Sequence, residues 1–429
     1  MTPDAASLPT DVVVVRRLRR LTCVFAGLLV SATWPLWIPG PELPDIPWSE
    51  SWCFLPESFF DWTLLAGAAL WLVLEFVGLD RRSCRTWIIR GILAGPWMIL
   101  LVLDQHRLQP WVVQMLMLAA ILSVADARTG LRCARLLVIS IYIHSAVSKI
   151  DVAFINSHGQ FLLDGLTKSL GVSTEFWSAT TKRVLAGTFP VGELLTGIFL
   201  LWPRTRRIGL TLAIMMHVML LLTLGPLGHA HHWGVLVWNV YFILMDLLIF
   251  RASVPVEKDR IELPARNSSI LSPDFSEKAG NVIAYAGTAL FAILPCLSWW
   301  GYWDHWPSWA VYSSRPAIVE VSVPEGDIER LPQSLQPFIG SPQPLSDLCP
   351  VNLDAWSFET LWCPMYPQER YRLAVALALG ERSGIDSMRV IVRSSPDRWT
   401  GERQETTLDG LPAIRSRAEK FWINTRSRQ

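Results

Sequence analysis

The chain alternates between long apolar stretches and short polar breaks. Apolar positions dominate Leu18–Trp37, Asp61–Leu79, Trp87–Leu103, Pro110–Val124, Leu136–Ile155, Val184–Trp202, Ile208–Leu224, Trp233–Phe250 and Asn281–Trp299. Each stretch approaches the ~20 helical residues that cross a ~30 Å hydrocarbon layer. Lipid offers no partner to a bare peptide group, so such runs fold as helices. The pattern predicts about nine transmembrane helices. Pro110–Val124 is the shortest, read as tilted, capped by polar residues or partly re-entrant.

From Trp309 onward, charged residues of both signs interleave with apolar ones. The spacing predicts strands over Ile318–Val323 and Met388–Val392 and a helix over Tyr371–Leu379. The expected fold class is therefore an all-α polytopic membrane bundle, residues 1–305, with a small C-terminal α+β domain, residues 306–429.

Composition agrees with a membrane chain. Hydrophobic residues make up 51% and charged residues 17%, and mean hydropathy is +0.31. Many of the 22 tryptophans flank apolar runs, among them Trp34, Trp37, Trp202, Trp233 and Trp299, as interfacial belts do. A net charge of +1 gives no electrostatic case for nucleic acid. The lipid bilayer is the expected partner, and the sequence names no protein partner.

Basic residues set the orientation. Arg16, Arg17, Arg19 and Arg20 precede the first stretch; Arg81, Arg82 and Arg85 follow the second; Arg128, Arg132 and Arg135 follow the fourth. Arg204, Arg206 and Arg207 follow the sixth, and Arg251, Lys258, Arg260 and Arg266 the eighth. With alternating spans all lie on one side, which the positive-inside rule makes cytoplasmic. The N-terminus is then cytoplasmic and the C-terminal domain outside the plasma (inner) membrane. The first opposite loop is acidic, with Glu42, Asp45, Glu50 and Glu57. A secretory signal is the alternative for the basic N-terminus, but Trp34-Pro-Leu-Trp37 stands where a small-x-small site is needed. Cys349 and Cys363, on the outer side, are candidates for a disulfide, with Cys53 as a competing partner.

Ionisable residues inside the spans carry the candidate chemistry. Lys149 lies in the fifth apolar run, where an ammonium costs about 2.5–3.5 kcal/mol to insert. Counting from the cytoplasmic arginines at 1.5 Å per residue, Lys149 lies about 21 Å, His144 about 14 Å, His217 about 15 Å and Glu193 about 16 Å along their helices. Similar depth on consecutive spans predicts one shared polar site, with Tyr142 and Ser145 on the Lys149 face. The competing reading is a structural ion pair between Lys149 and Glu193 or Asp151. Glu75 and Arg90 read as a separate structural pair near the cytoplasmic ends. Gly228-His229-Ala-His231-His232-Trp233 reads as an interfacial, hydrogen-bonded turn rather than a metal site, and no metal is expected. Asn239 adds a polar group to the eighth span. Phosphate loops, HExxH and CxxC are absent from the sequence.

Several segments, taken in order, resemble the vitamin K-dependent gamma-carboxylase superfamily, also called the horizontally transferred transmembrane domain group. They are Leu103-Asp104, Asp126-Ala127, Tyr142 with Lys149-Ile-Asp151, and Arg206-Arg-Ile-Gly-Leu210 with His217, spanning about Leu103 to Phe250. The resemblance implies a membrane site for a quinol-type lipid with Lys149 as the base that activates it. Where those carboxylases carry Asn-Asn-His, this chain has Gln109-Pro110-Trp111, which removes the main support for glutamate carboxylation. The segments around Asp104–Trp111 and Ser145–Asp151 also resemble DoxX and MauE-like membrane proteins, which are linked to quinone and thiol redox.

Two readings follow. In the first, Lys149, His217 and Glu193 are catalytic, Tyr142, His144, Asp104, Gln109 and Asn239 contact the substrate, and a quinone or quinol is the ligand. In the second, the chain is a non-catalytic membrane module or redox component whose outer domain binds a partner.

Overall fold

The computed structural model describes residues 10–38, 40, 43–56, 59–78, 84–251 and 275–428. Glu42, Glu57, Arg81, Arg82, Arg85, Arg90, Lys258, Arg260 and Arg266, and with Arg90 the expected pair to Glu75, fall outside this description wholly or in their side chains. The membrane-type part comprises α1 (Thr10–Ala32), α2 (Phe59–Val77), α3 (Cys84–Leu103), α4 (Pro110–Val124), α5 (Ala127–Ser148), α6 (Val152–Asn156), α7 (His158–Ser169), α8 (Ala179–Leu201), α9 (Arg206–Leu224), α10 (Trp233–Arg251) and α11 (Phe275–Ile293). Helices stand at the place of every predicted span. Among the described residues five segments are long and apolar enough to cross a membrane: α5, α8, α9, α10 and Lys278–Trp300. Pro110–Val124 and Ala94–Leu103 are apolar but shorter.

Two departures from the apolar pattern matter for the site. The run Leu136–Ile155 is not one helix: α5 ends at Ser148, Lys149 caps it, and Asp151 starts α6 by accepting the Phe154 amide at 2.5 Å. A carboxylate three residues past the helix end satisfies the new amino-terminal N–H, so polarity at Lys149–Asp151 outweighs continuous hydropathy. Lys149 is thus a C-cap and not a mid-helix charge. The second departure is the α6–α7 pair, which fills the gap between the fifth and sixth stretches. Gly165 of α7 is required there, since a Cβ would stand 2.5 Å from the His229 ring.

The C-terminal part contains β1 (Ile318–Pro324), β2 (Leu348–Val351), α12 (Leu353–Leu361), α13 (Glu369–Ser383), β3 (Arg389–Arg393), β4 (Glu405–Asp409) and α14 (Gly410–Ala418). The sheet order is β2-β1-β3-β4, antiparallel throughout. Alternate residues Val319, Val321 and Val323 of β1 and Val390 and Val392 of β3 face inward onto α13, whose Tyr371, Ala374 and Val375 are fully buried. Cys349, Cys363 and Cys53 are all free, so of the two alternatives left open for the candidate pair the structure has the unpaired one. Cys349 is committed to β2, while the Cys363 sulfur lies 3.7 Å from His106 Nε2.

The two parts are joined by buried polar contacts. Leu43 and Ile46, from the segment between α1 and α2, belong to the core of the sheet domain. Asp104 caps the turn after α3, its Oδ1 accepting the His106 and Ile46 amides at 3.0 and 3.3 Å. His106 meets Pro364 O through Nε2 at 2.9 Å and Tyr371 OH through Nδ1 at 3.1 Å. Arg107 and Arg428 both donate to Asp61 Oδ2, at 3.1 and 2.9 Å, and Arg428 also reaches Asp45 at 3.1 Å. Arg370 bridges Asp304 and donates to Gln105 Oε1 at 3.0 Å.

Burial holds the His106 imidazole down at about 4, with the Pro364 carbonyl opposing, and pushes the Asp104 carboxyl up to about 6. For His106 the folded value lies below the unfolded one, so the unfolded state binds more protons between about pH 6.5 and 4. Stability contributed by the neutral ring is complete above that window and falls by about 1.4 kcal/mol per pH unit within it. Asp104 acts in the opposite sense, so the comparison needs a variant. His106→Gln, which keeps a donor for Pro364 O, is expected to lose less thermal stability between pH 6.5 and 5 than the wild type. Equal losses in both proteins, measured in the same detergent, contradict this.

Candidate functional site

A largely apolar cavity of about 220 Å³ lies among α5, α8, α9 and α10. Lys149, Glu193 and His217, from three of those helices, all line it, together with Tyr142, Ser145 and Asn239. Tyr142, Ser145 and Lys149 follow one another at about one helical turn, which puts them on one face of α5. Gly197 lets α8 approach that face: a Cβ there would lie 2.9 Å from Ile143 Cγ1 and 3.3 Å from Tyr142 Cβ. Gly192 is different, because a Cβ there would meet nothing within 4 Å and only shrink the cavity.

Lys149 Nζ donates to Glu193 Oε2 at 2.9 Å, Ser145 Oγ at 2.5 Å and Ser145 O at 3.1 Å. Three N–H groups meet three acceptors, and the cation sits at the negative end of the α5 dipole. Glu193 and not Asp151 is the partner, because Asp151 is turned away to cap α6. Deeper in the bundle, Tyr142 OH lies 2.9 Å from His217 Nε2 and 2.5 Å from Asp246 Oδ2. His217 Nδ1 lies 2.8 Å from Asn239 Oδ1, and its ring stacks on Phe242 at 4.6 Å. The cavity thus has two polar ends set in a wall of Phe189, Leu212, Met216 and Leu220. Thr188 and Met215 also line it and are exposed on the outer surface of α8 and α9, so the space reaches the lipid-facing side.

Not every expected residue is present. His144 is two residues from Tyr142, about 200° round the helix, and its Nε2 meets Ala292 O of α11 at 2.8 Å. Similar depth did not bring it into the cavity. Asp104 is committed to the domain junction. Gln109 lines a second, larger space of about 790 Å³ beneath the sheet domain, with its Nε2 donating to His106 O at 2.9 Å. This vestibule shares Val235, Trp238, Val311 and Tyr312 with the cavity, so the two adjoin. Trp309 and Tyr312, in the segment over the cavity, hold left-handed φ of 63° and 53°. Such non-glycine conformations cost about 1–3 kcal/mol each and persist where packing over-determines them.

His229, His231 and His232 line the vestibule. His229 Nε2 lies 2.7 Å from Phe161 O, and the ring stacks on Phe161 at 3.8 Å, while His231 meets the edges of Tyr312 and Phe358. Among the described residues no group of three or more His, Cys, Asp or Glu is placed to hold a metal ion. Sequence reasoning missed Asp246 altogether. The available signal was an acidic residue inside an apolar run, two turns after Asn239 on the same face of α10. Comparison with protein-family models, curated proteins and solved structures returns no match.

The Lys149–Glu193 geometry sets a stability expectation. Removing one partner of a buried pair strands the other and costs about 3–5 kcal/mol, whereas replacing both by apolar groups is near neutral. Lys149→Met is therefore expected to lower the melting temperature in detergent, and Lys149→Met with Glu193→Leu to recover most of the loss. A single variant as stable as the wild type rules out this coupling.

Proposed function

We propose that the chain is a nine-span protein of the plasma (inner) membrane that binds a quinol-type lipid in the α5–α10 cavity and accepts a proton from it through Lys149 and Glu193. Support for the orientation comes from the clustering of arginines at the end of the bundle away from the sheet domain. Arg128 lies 4.0 Å from Asp11, and Arg135 donates to Ile249 O at 2.7 Å beside Arg251. On this reading that end is cytoplasmic and the sheet domain is extracytoplasmic.

The observation that carries the ligand is the form of the cavity: an apolar volume open toward lipid with polar groups at separate ends. A ring-bearing lipid with oxygens on opposite sides matches that arrangement, whereas a purely aliphatic lipid leaves both polar ends unused. The resemblance to the gamma-carboxylase superfamily leads to the same ligand class and the same lysine. Carboxylation of glutamate is not part of the proposal, since Trp111 and Pro110 replace the expected polar residues. Lys149 first hands one proton to Glu193 Oε2, breaking an Nζ–H bond and forming an O–H bond, and the neutral amine, oriented by Ser145, then takes the hydroxyl proton of the quinol and leaves its anion.

Mass spectrometry of lipids extracted from the purified protein tests binding. The wild type is expected to carry an isoprenoid quinone, and Gly192→Phe, which fills open space, to carry about tenfold less. Wild-type protein consistently free of quinone overturns the ligand. For the chemistry, with dioxygen supplied as the two-electron oxidant, Lys149→Gln is expected to retain the lipid but to oxidise added quinol about 10²-fold or more slowly, as loss of a general base does. Unchanged turnover in that variant removes Lys149 as base.

One observation favours a second reading, in which the pair only clamps α5 to α8: every Lys149 donor already has an acceptor. On that reading the double variant Lys149→Met/Glu193→Leu keeps whatever activity the protein has.

A further inference from the structure

Asp246 lies outside the cavity wall but is hydrogen-bonded to it, and the donors and acceptors around it can be counted. Asn239 Nδ2 donates to Val235 O at 2.8 Å, which fixes the amide orientation because a carbonyl only accepts. The atom facing His217 is therefore Asn239 Oδ1, at 2.8 Å, so Nδ1 of His217 carries a hydrogen. Tyr142 has one hydroxyl hydrogen for two neighbours, His217 Nε2 at 2.9 Å and Asp246 Oδ2 at 2.5 Å.

With Tyr142 as a neutral phenol, two arrangements leave no clash. If Tyr142 donates to a neutral His217, Asp246 must supply the hydrogen between Oδ2 and the phenol oxygen. If Tyr142 donates to an Asp246 carboxylate, Nε2 must carry a hydrogen, and His217 is an imidazolium. Both hold the same number of protons. One proton fewer sets two lone pairs against each other at a buried contact, and one more leaves the Tyr142 hydrogen without an acceptor. Either defect costs about 1–3 kcal/mol or more.

We propose that Asp246, Tyr142 and His217 hold one mobile proton, stored on Asp246 and passed through Tyr142 to the imidazole in the cavity wall. The hop breaks the Asp246 Oδ2–H and Tyr142 O–H bonds and forms new Tyr142 O–H and His217 Nε2–H bonds, with no electron transferred. Among the described residues Asp246 Oδ1 has no hydrogen-bond partner, although the residue is fully buried. An orphaned oxygen is less costly as the carbonyl of a neutral acid than as half of a carboxylate, so the resting proton is placed on Asp246. Delivery to a ligand rests on the function proposed above; the shared proton does not.

The test uses the full chain in lipid nanodiscs. Infrared spectroscopy reads the Asp246 carboxyl, identified by loss of its acid band in Asp246→Asn, and nitrogen NMR of labelled histidine reads His217. The expected result is a protonated carboxyl together with a neutral imidazole carrying its hydrogen on Nδ1; an imidazolium with a carboxylate supports the same shared proton in its other position. A neutral imidazole with a carboxylate, or an imidazolium with a protonated carboxyl, overturns the proposal. Asn239→Leu removes the acceptor that fixes Nδ1–H, so in that variant a neutral imidazole protonated on Nε2 beside a carboxylate becomes accessible, and the acid band weakens. Absence of a bound quinone moves neither signal, so failure of the ligand assignment is told apart from failure of the relay.

Discussion

Asp61 accepts hydrogen bonds from two buried guanidiniums, and the relation between the bundle and the sheet domain depends on that sharing. Arg107 comes from the turn after α3 and Arg428 from the far C-terminal end; both are at most 1% exposed in their side chains, and Asp61 is fully buried. Loss of either arginine leaves Asp45 and Asp61 sharing a single guanidinium out of water, where breaking a buried pair costs about 3–5 kcal/mol. With Asp45 as a second acceptor, charges of both signs are matched at the junction. The sheet domain is consequently held over the end of the bundle, and the vestibule beneath it exists because of that attachment.

The same rule, that no polar group goes unpartnered away from water, shapes the cavity. Lys149 ends α5, turns its amine back on Ser145 and is closed by Glu193 from α8. Four residues from α5, α9 and α10 form the deeper chain through Tyr142 and His217. Between the two ends the wall is methionine, leucine and phenylalanine, which conforms to irregular apolar ligands without fixing one shape. Among the described residues Trp309 Nε1 in the cavity lining and Asp246 Oδ1 behind it lack a hydrogen-bond partner, and on the proposal above the second marks the place where a proton is held instead of a second hydrogen bond.

Much of this was legible in the chain. Apolar runs fall where helices form, and depth counted from flanking arginines put Lys149, Glu193 and His217 at one level. Tyr142 and Ser145 follow from helical spacing, and Asn239 from being polar in an apolar span. Depth, however, is one coordinate of three. His144 has the right depth but the wrong azimuth, so it serves the α5–α11 contact. Asp104 resembles a substrate-binding position yet caps a turn at the domain junction. Cys349 and Cys363 are close in sequence, but one belongs to a strand and the other packs beside His106.

Taken by itself, the sequence determined which segments are helical and apolar, which charges lie among them, and that the last third folds differently. These follow from local energetics, since burying a peptide group or a charge in lipid has nearly the same cost whatever surrounds it. The tertiary structure alone decided which helix faces meet, that Glu193 and not Asp151 closes on Lys149, and that Asp246 lies behind Tyr142. Those choices turn on the rotation of each helix and on glycines such as Gly197 that permit close approach. Both are set by packing between segments distant in sequence, and no local pattern encodes them.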